Sequence, residues 1–304
     1  MSCSLFVDPE PGSPMRLLIG VVHFYRSGDG RHGSLAADPA PRIRALSQLI
    51  LNLHRLFGAS AATLNHCQRR VDAVVDGGGE VDLRICVIGV DHVLDQLPEL
   101  STLYRQTCCD VEDPRLLGFA CQQMLAMVSR KAEEDGNPYD YIAYLEDDIV
   151  INDIDFFLKL RNFNYAFGDN YLLMPNRLET MENSRHVSRF YIDGDYNPLA
   201  SEAYRRSGSH QLCLEHLGEM IRFDQPSNLH SGCFFLNRTQ AEIYRSSGHA
   251  GEVDITFHGP LESAATLGML KTFQVMKPAL ENGRFLTVEH AGRNFMNLVN
   301  SLSR

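Results

Sequence analysis

The chain lacks the features that mark a membrane-spanning or exported protein. Its longest strongly apolar runs, such as Leu17 to Val22, fall far short of the roughly 20 residues that a membrane-spanning helix needs. Residues 1–14 contain Asp8 and Glu10 among prolines and glycines, and they lack the basic segment and apolar core of a secretory signal. The sequence therefore predicts a loose tail over residues 1–14, no transmembrane segment and a cytoplasmic protein.

Metal-binding cysteine motifs and basic blocks are also missing. The eight cysteines include no CxxC pair, which argues against a zinc ribbon or a dithiol redox motif. The formal charge of -10 comes from 28 Lys and Arg against 38 Asp and Glu, and no basic stripe suited to a phosphate backbone is present. We therefore expect no nucleic-acid partner.

What the chain does contain is enough apolar sequence for a sizeable core, since 44% of its 304 residues are hydrophobic. Strand-like runs cover residues 15–25, 81–90 and 139–145, and helical spacing of apolar residues covers 41–57 and 114–131. Strands that alternate with helices predict an α/β fold with a largely parallel sheet. Ligands of such folds bind at the carboxyl ends of the strands.

The second part of the chain is less regular. Further helices are predicted over 153–165, 238–246 and 260–270, and further strands over 171–175, 231–237, 273–276 and 285–288. The intervening residues 176–228 are charged and rich in turn residues, and we expect them to form an irregular insertion that faces the substrate.

Three consecutive carboxylates, Glu146, Asp147 and Asp148, follow the apolar and aromatic run Tyr139 to Leu145. Desolvating adjacent anions costs several kcal/mol each unless a cation or dense hydrogen bonding compensates. A divalent metal would provide that compensation, and hard carboxylate oxygens suit Mg²⁺ or Mn²⁺. The alternative is a solvated acidic turn, which the apolar residues on both sides argue against.

This Glu-Asp-Asp cluster, with a strand before it and Asp155-Phe156-Phe157 after it, resembles the DxD-like motif of GT-A-fold glycosyltransferases. It is similar in particular to the enzymes that add N-acetylglucosamine to N-glycan antennae. The resemblance implies a three-layer α/β/α sandwich with a central, mostly parallel sheet. A single catalytic domain would span residues 15–304, with a nucleotide-binding half over about 15–165 and an acceptor-binding half over 166–304.

The same resemblance implies an activity and a metal. The enzyme would move a hexose or N-acetylhexosamine from a nucleotide sugar, UDP-linked, to a glycan or another hydroxyl acceptor. Asp148 would hold Mn²⁺ or Mg²⁺ against the two phosphates, while Glu146 and Asp147 would contact ribose, sugar hydroxyls or metal-bound water. The cation would stabilise the charge that develops on the leaving nucleoside diphosphate.

Roles for residues outside the acidic cluster follow from the resemblance as well. The remaining nucleotide-binding residues would be His23, Phe24, Tyr25, Arg26, Arg31, Arg115 and Arg293. His290 would be a second metal ligand. Glu262, at a helix start, would be the base that takes the acceptor proton in an inverting transfer, with Glu252 and Asp254 as competing candidates.

Several alternatives stay open. The chain has no Trp, on which many acceptor pockets of these enzymes stack a sugar, so the acceptor is undefined. A retaining enzyme would leave Glu262 in acceptor binding. A sugar-nucleotide nucleotidyltransferase usually has a glycine-rich basic loop after the first strand, whereas residues 26–34 contain no lysine. A phosphohydrolase would need further Asp or His ligands, and a non-catalytic sugar-binding protein would tolerate loss of Asp148.

Overall fold

A computed structural model describes residues 14–30, 33–58, 61–74, 79–180, 189–195, 202–203, 210–292 and 295–297. Its strands are β1 (Arg16–Val22), β2 (Ala61–Asn65), β3 (Arg70–Val74), β4 (Glu80–Val87), β5 (Arg105–Cys108), β6 (Tyr141–Glu146), β7 (Ile149–Val150), β8 (Tyr171–Leu173), β9 (Asn176–Thr180), β10 (Arg189–Tyr191), β11 (Gln211–His216), β12 (Glu219–Asp224), β13 (Cys233–Asn237), β14 (Gln274–Pro278) and β15 (Thr287–His290). The described α-helices longer than one turn are α1 (Ala40–Phe57), α2 (Leu117–Glu134), α3 (Phe156–Phe167), α4 (Arg238–Ser246) and α5 (Pro260–Thr272).

The central sheet has five strands in the order β13-β6-β1-β4-β5. The strands β6, β1, β4 and β5 are parallel, and β13 is antiparallel to β6. The prediction of an α/β fold with a central, mostly parallel sheet is confirmed. Because β1 and β6 are paired in register, with Val22 opposite Glu146, the residues that follow both strands meet at one edge of the sheet.

Helices cover both faces of this sheet and create two cores. Alternate residues of β1 face opposite sides: Leu17 and Ile19 pack into one core, and Leu18 packs into the other. The first core contains buried side chains of α1 and α3, and the second contains those of α2, α4 and α5. This is the three-layer arrangement expected from the sequence.

Local sequence explains where the helices begin and which faces they bury. Pro41 lies in the first turn of α1, and the buried residues recur at helical spacing, namely Ala45, Leu46, Leu49, Ile50, Leu53 and Phe57. At α4 the Asn237 side chain accepts a bond from Gln240 N, and the Gln240 side chain accepts one from Asn237 N. This capping box places the helix start at Arg238, as the sequence predicts.

The prediction of an irregular segment over 176–228 is wrong for much of its described part, which contains β9, β10, β11 and β12. The hairpin of β11 and β12 alternates exposed and partly buried positions along Gln211–His216. Its charged residues therefore belong to a half-solvated antiparallel pair, in which polar and apolar side chains alternate. Residues 181–188, 196–201 and 204–209 lie outside the described part.

Two further pieces of β-structure, β2 with β3 and β5, are absent from the prediction. In β2 most positions are exposed, so the hydrophobic alternation that identifies a strand is weak there. Across the described residues, no helix combines the length and the apolar character needed to cross a membrane.

Candidate active site

The acidic cluster lies at the carboxyl end of β6, between β1 and β13. Asp147 is the more enclosed of its two aspartates: its carboxylate accepts a hydrogen bond from His23 Nδ1 at 2.5 Å and one from Arg42 Nη1. Burial opposes ionisation of Asp147, but the charge of Arg42 and the bond from His23 outweigh it and hold the pKa of this carboxyl below its ordinary value.

His23 holds the Asp147 carboxylate in position through a buried hydrogen bond. The ring is fully buried, and its Nε2 accepts a hydrogen bond from the Val93 backbone N–H at 3.0 Å. Since Nε2 accepts, the ring proton lies on Nδ1, which donates to Asp147. A direct contact between His23 and a nucleotide would require the ring to give up one of these two bonds.

Asp148 has an incomplete set of partners. Its Oδ2 lies 3.3 Å from Arg42 Nη1 and 3.7 Å from His290 Nε2. Its Oδ1 is buried, and no group in the described part of the chain forms a hydrogen bond with it. The Asp148 carbonyl accepts from Ala291 N at 2.7 Å, which ties the cluster to the end of β15. A buried carboxylate oxygen without a donor is a position that a cation would satisfy.

His290 faces Asp148 because a second carboxylate holds its other nitrogen. Nδ1 lies 3.1 Å from Oε1 of Glu179, whose side chain is fully buried. The same carboxylate accepts from the backbone N–H groups of Phe295 and Met296. A histidine whose Nδ1 donates to a carboxylate while Nε2 is presented outward is the usual arrangement of a metal-binding imidazole.

Glu146, at the end of β6, packs against β13 and the turn before it. Its backbone N–H donates to Gly232 O at 2.9 Å, and its Oε1 lies 3.9 Å from His230 Nε2. Gly232 has φ +63°, and a Cβ there would come within 2.9 Å of Glu146 Oε2. Burial and the charge of Asp148 raise the pKa of Glu146 above its usual range, with the charge of Arg177 opposing them.

Behind Glu146 lies a buried charge cluster that sequence reasoning missed. Asp193 accepts from Arg177 Nε at 2.9 Å and from Lys277 Nζ at 2.8 Å, and Lys277 also donates to the His230 carbonyl at 2.7 Å. The signal available in the sequence was a lone lysine inside the apolar run Val275 to Pro278. Long-range pairing of β14 with β8 and β12 brings it here.

Glu262 lies in the first turn of α5, as the sequence predicts. Its side chain folds back over the helix start, since a Cβ at Gly259 would come within 2.6 Å of Glu262 Oε2. The charge of Glu262 is one of those that raise the pKa of Glu146. The competing candidates Glu252 and Asp254 instead form ion pairs with Lys271, at 2.9 and 2.6 Å.

The other predicted contacts are spread along the edge that follows β1, β4 and β5. The guanidinium carbon of Arg26 lies 5.6 Å from the centroid of the Phe24 ring, and Arg26 is paired with Asp91. The hydroxyl of the buried Tyr25 donates to the Ala36 carbonyl at 2.7 Å. Arg115 is paired with Asp113 at 2.7 Å, and its side chain is 73% exposed. Arg31 and Arg293 lie outside the described residues.

The described residues offer two ligands to a divalent cation rather than a complete protein cage. No group of three or more His, Cys, Asp and Glu side chains in the described ranges is arranged to hold a metal by itself. Asp148 and His290 fit a site of the other kind, in which substrate phosphates and water complete the coordination. The mixed carboxylate and imidazole pair suits Mn²⁺ better than Mg²⁺.

No protein-family model matches the sequence, and no curated protein matches it. Mannose-1-phosphate geranyltransferase from Thermus thermophilus is similar to 88% of this chain over 74% of its own, with 12% identity and a TM-score of 0.39. CMP:2-keto-3-deoxy-manno-octonic acid synthetase is similar over 96% of this chain and 98% of its own, with 12% identity and a TM-score of 0.38. A glycosyltransferase involved in glycosylation of the major capsid of PBCV-1 is similar over 95% and 100%, with 9% identity and a TM-score of 0.37. Likenesses of this size do not assign the chain to a family.

Proposed function

We propose that the protein is a metal-dependent glycosyltransferase that moves a hexose or N-acetylhexosamine from a UDP-linked donor to a hydroxyl acceptor. The observation that carries the proposal is the pairing of Asp148 and His290 at the carboxyl end of the central sheet. Asp148 presents a buried oxygen, Oδ1, that has no hydrogen-bond donor among the described residues, and Glu179 orients His290 toward the Asp148 carboxylate. Two protein ligands leave room for the phosphates of a donor.

Each residue of the site has a separate task in this proposal. Asp148 and His290 would hold Mn²⁺ or Mg²⁺, which supplies stabilisation of the charge that develops on the leaving diphosphate. His23 and Arg42 fix Asp147 in place through its two oxygens. Phe24 and Arg26, which follow β1, lie on the same edge and would contact the nucleoside, whereas Tyr25 is buried in the core.

Glu262 is the proposed base of an inverting transfer. It lies near Glu146, on whose ionisation its charge acts, and it occupies the first turn of α5. A carboxylate in this position can take the proton of an acceptor hydroxyl. Glu252 and Asp254 are less suited, because their ion pairs with Lys271 would have to be broken first.

The acceptor would bind in the region formed by residues that follow α3. A cavity of about 660 Å³ lies there, and its lining includes the polar side chains of Asn176, Asp193, Arg222, Asp224 and Glu281. Its volume lies within the range of small-molecule sites. Carboxylates accept hydrogen bonds from sugar hydroxyls, and amides both donate and accept them.

Calorimetry with UDP, in the presence and absence of Mn²⁺, tests the donor site. We expect binding that requires the metal and is lost in Asp148→Ala. Asp135→Ala is the matched control, because Asp135 follows α2, where it pairs with Lys131, and makes no contact with the cluster. Metal-independent UDP binding, or unchanged UDP binding by Asp148→Ala, would contradict the proposal.

Turnover with a panel of nucleotide sugars tests the chemistry. We expect slow donor hydrolysis that identifies the sugar, and we expect Glu262→Gln to keep the UDP affinity while kcat falls by roughly 10²–10⁴, the usual contribution of a general base. Glu252→Gln is the control and should retain kcat. Release of pyrophosphate from a nucleoside triphosphate and a sugar phosphate would instead identify a nucleotidyltransferase.

A further inference from the structure

Arg42, in the first turn of α1, neutralises both aspartates of the cluster. Its Nη1 contacts Asp147 Oδ1 and lies 3.3 Å from Asp148 Oδ2. The side chain is 14% exposed, so this positive charge is largely shielded from solvent. The protein therefore carries its own cation at the place where the proposed function requires a divalent one.

A cation at Asp148 would be repelled by this guanidinium. Like charges a few ångströms apart in a partly buried site interact strongly, because the screening by water is reduced. A diphosphate placed between them would reverse the sign, since its oxygens attract the metal on one side and the guanidinium on the other. The planar fork of an arginine is well suited to phosphate.

Within the described part of the chain, Arg42 forms its side-chain hydrogen bonds through one end of the fork, which leaves the other end for such a contact. Both aspartates are contacted through Nη1. The other terminal nitrogen, Nη2, lies next to Gly33, where a Cβ would come within 2.9 Å of it. Gly33 belongs to the loop that follows β1, the segment from which phosphate contacts are predicted. A side chain at position 33 would occupy the space beside this end of the fork.

We propose that Arg42 couples metal binding to donor binding: it weakens metal binding by the free protein and contacts the donor diphosphate in the complex, so that metal and nucleotide bind together. This inference rests on the proposed function, and it concerns the order and cooperativity of binding at the same site. By reciprocity, the factor by which UDP strengthens Mn²⁺ binding equals the factor by which Mn²⁺ strengthens UDP binding.

The test measures Mn²⁺ affinity from the electron paramagnetic resonance signal of free Mn²⁺, with and without UDP, in the full chain. In the wild type we expect weak binding that UDP strengthens. In Arg42→Gln we expect Mn²⁺ to bind the nucleotide-free protein about 10-fold or more tightly, with the UDP effect reduced by a similar factor, within the usual range of coupling between two sites. Arg44→Gln is the matched control, since Arg44 is exposed on the same helix.

Arg42→Lys keeps the charge beside Asp147 and covers the case in which the uncharged variant does not fold. It should retain weak Mn²⁺ binding without UDP and lose about 10-fold in UDP affinity with Mn²⁺ present, because a lysine cannot reproduce the fork. Unchanged Mn²⁺ affinity in Arg42→Gln, or wild-type UDP affinity in Arg42→Lys, would overturn the role of Arg42. The proposed function would still stand if the wild-type protein bound UDP in a metal-dependent way. Absence of that binding in the wild type would overturn both.

Discussion

Oε1 of Glu179 lies 3.1 Å from Nδ1 of His290, so a fully buried carboxylate determines which face of the imidazole is turned toward Asp148. From the described residues the carboxylate accepts three hydrogen bonds, one from this ring and two from the backbone N–H groups of Phe295 and Met296. Glu179 thus links the end of β15 to the segment that follows it.

Replacing Glu179 with glutamine should weaken metal binding without removing a ligand. The amide NH₂ cannot accept, so either the Met296 N–H loses its acceptor or, with the amide reversed, the His290 ring and the Phe295 N–H lose theirs. In both orientations a neutral amide replaces the negative charge that holds the imidazole. We expect Mn²⁺ affinity in the presence of UDP to fall by about 10–100-fold, as for other partners of metal-binding histidines. Glu289→Gln, on the same strand as His290 and bonded to Asn152 and Thr180, is the control and should leave the affinity unchanged.

Gly232 provides a test of how closely Glu146 is packed. Alanine at this position would combine a positive φ with a contact to Glu146 Oε2, and we expect a loss of about 2–3 kcal/mol in the free energy of unfolding. Gly248→Ala is the control, since Gly248 has φ +81° with nothing within 4 Å of an added Cβ, and it should lose only about 1 kcal/mol. Equal losses in urea unfolding would show that the Glu146 side chain moves aside without cost.

The buried charges behind the site should be individually indispensable for stability. Asp193→Asn would leave Lys277 and Arg177 without their shared carboxylate, and breaking a buried pair typically costs about 3–5 kcal/mol. Chemical denaturation should show a much lower midpoint for this variant. Asp135→Asn removes the partner of Lys131 on the surface and should leave the midpoint unchanged, because exposed pairs contribute little.

Acidification should destabilise the protein through His230. Burial lowers the pKa of this imidazole well below its ordinary value, and the charges of Arg177 and Lys277 act in the same direction. Below about pH 6.5 the unfolded chain takes up a proton that the folded chain does not, so this contribution to stability is complete above that pH and is lost as the pH falls. We expect up to about 1.4 kcal/mol per pH unit from this one group.

Urea unfolding between pH 7.5 and pH 5 measures this dependence. In His230→Gln the free energy of unfolding should depend less steeply on pH, by the amount that the uptake of one proton contributes. Thr266→Val removes the hydroxyl at 2.9 Å from His230 Nδ1 but no titrating group, so it should lower stability by a similar amount at every pH and keep the slope. Identical slopes in the wild type and His230→Gln would contradict the assignment.

Sequence patterns correctly predicted those helices and strands whose formation depends on residues close together in the chain. The helix α1 follows from the apolar spacing over residues 41–57, α4 was predicted over 238–246, and β6 follows from the apolar run before Glu146. The strands of the half-exposed hairpin, β11 and β12, were missed because their charged residues resemble those of a loop.

The site was less accessible to prediction, because its supporting contacts join distant segments. Asp147 is held by Arg42, from α1, and by His23, which follows β1, and nothing in the local sequence around either residue indicates the contact. Glu179 fell in a segment predicted to be irregular, although it lies on β9 and orients His290. The acidic cluster was visible in the sequence, whereas the groups that position it depend on strand order.

The position of β6 between β1 and β13 has a consequence for synthesis of the protein. When translation has reached only α3, the strands β1, β4 and β6 are already made, but the strand that covers the outer edge of β6 has not yet been synthesised. That open edge is flanked by apolar residues and ends in the three carboxylates, and unpaired strand edges are templates for aggregation. The negative charges of Glu146 to Asp148 would then act as gatekeepers during translation, repelling a second chain until Cys233–Asn237 arrives.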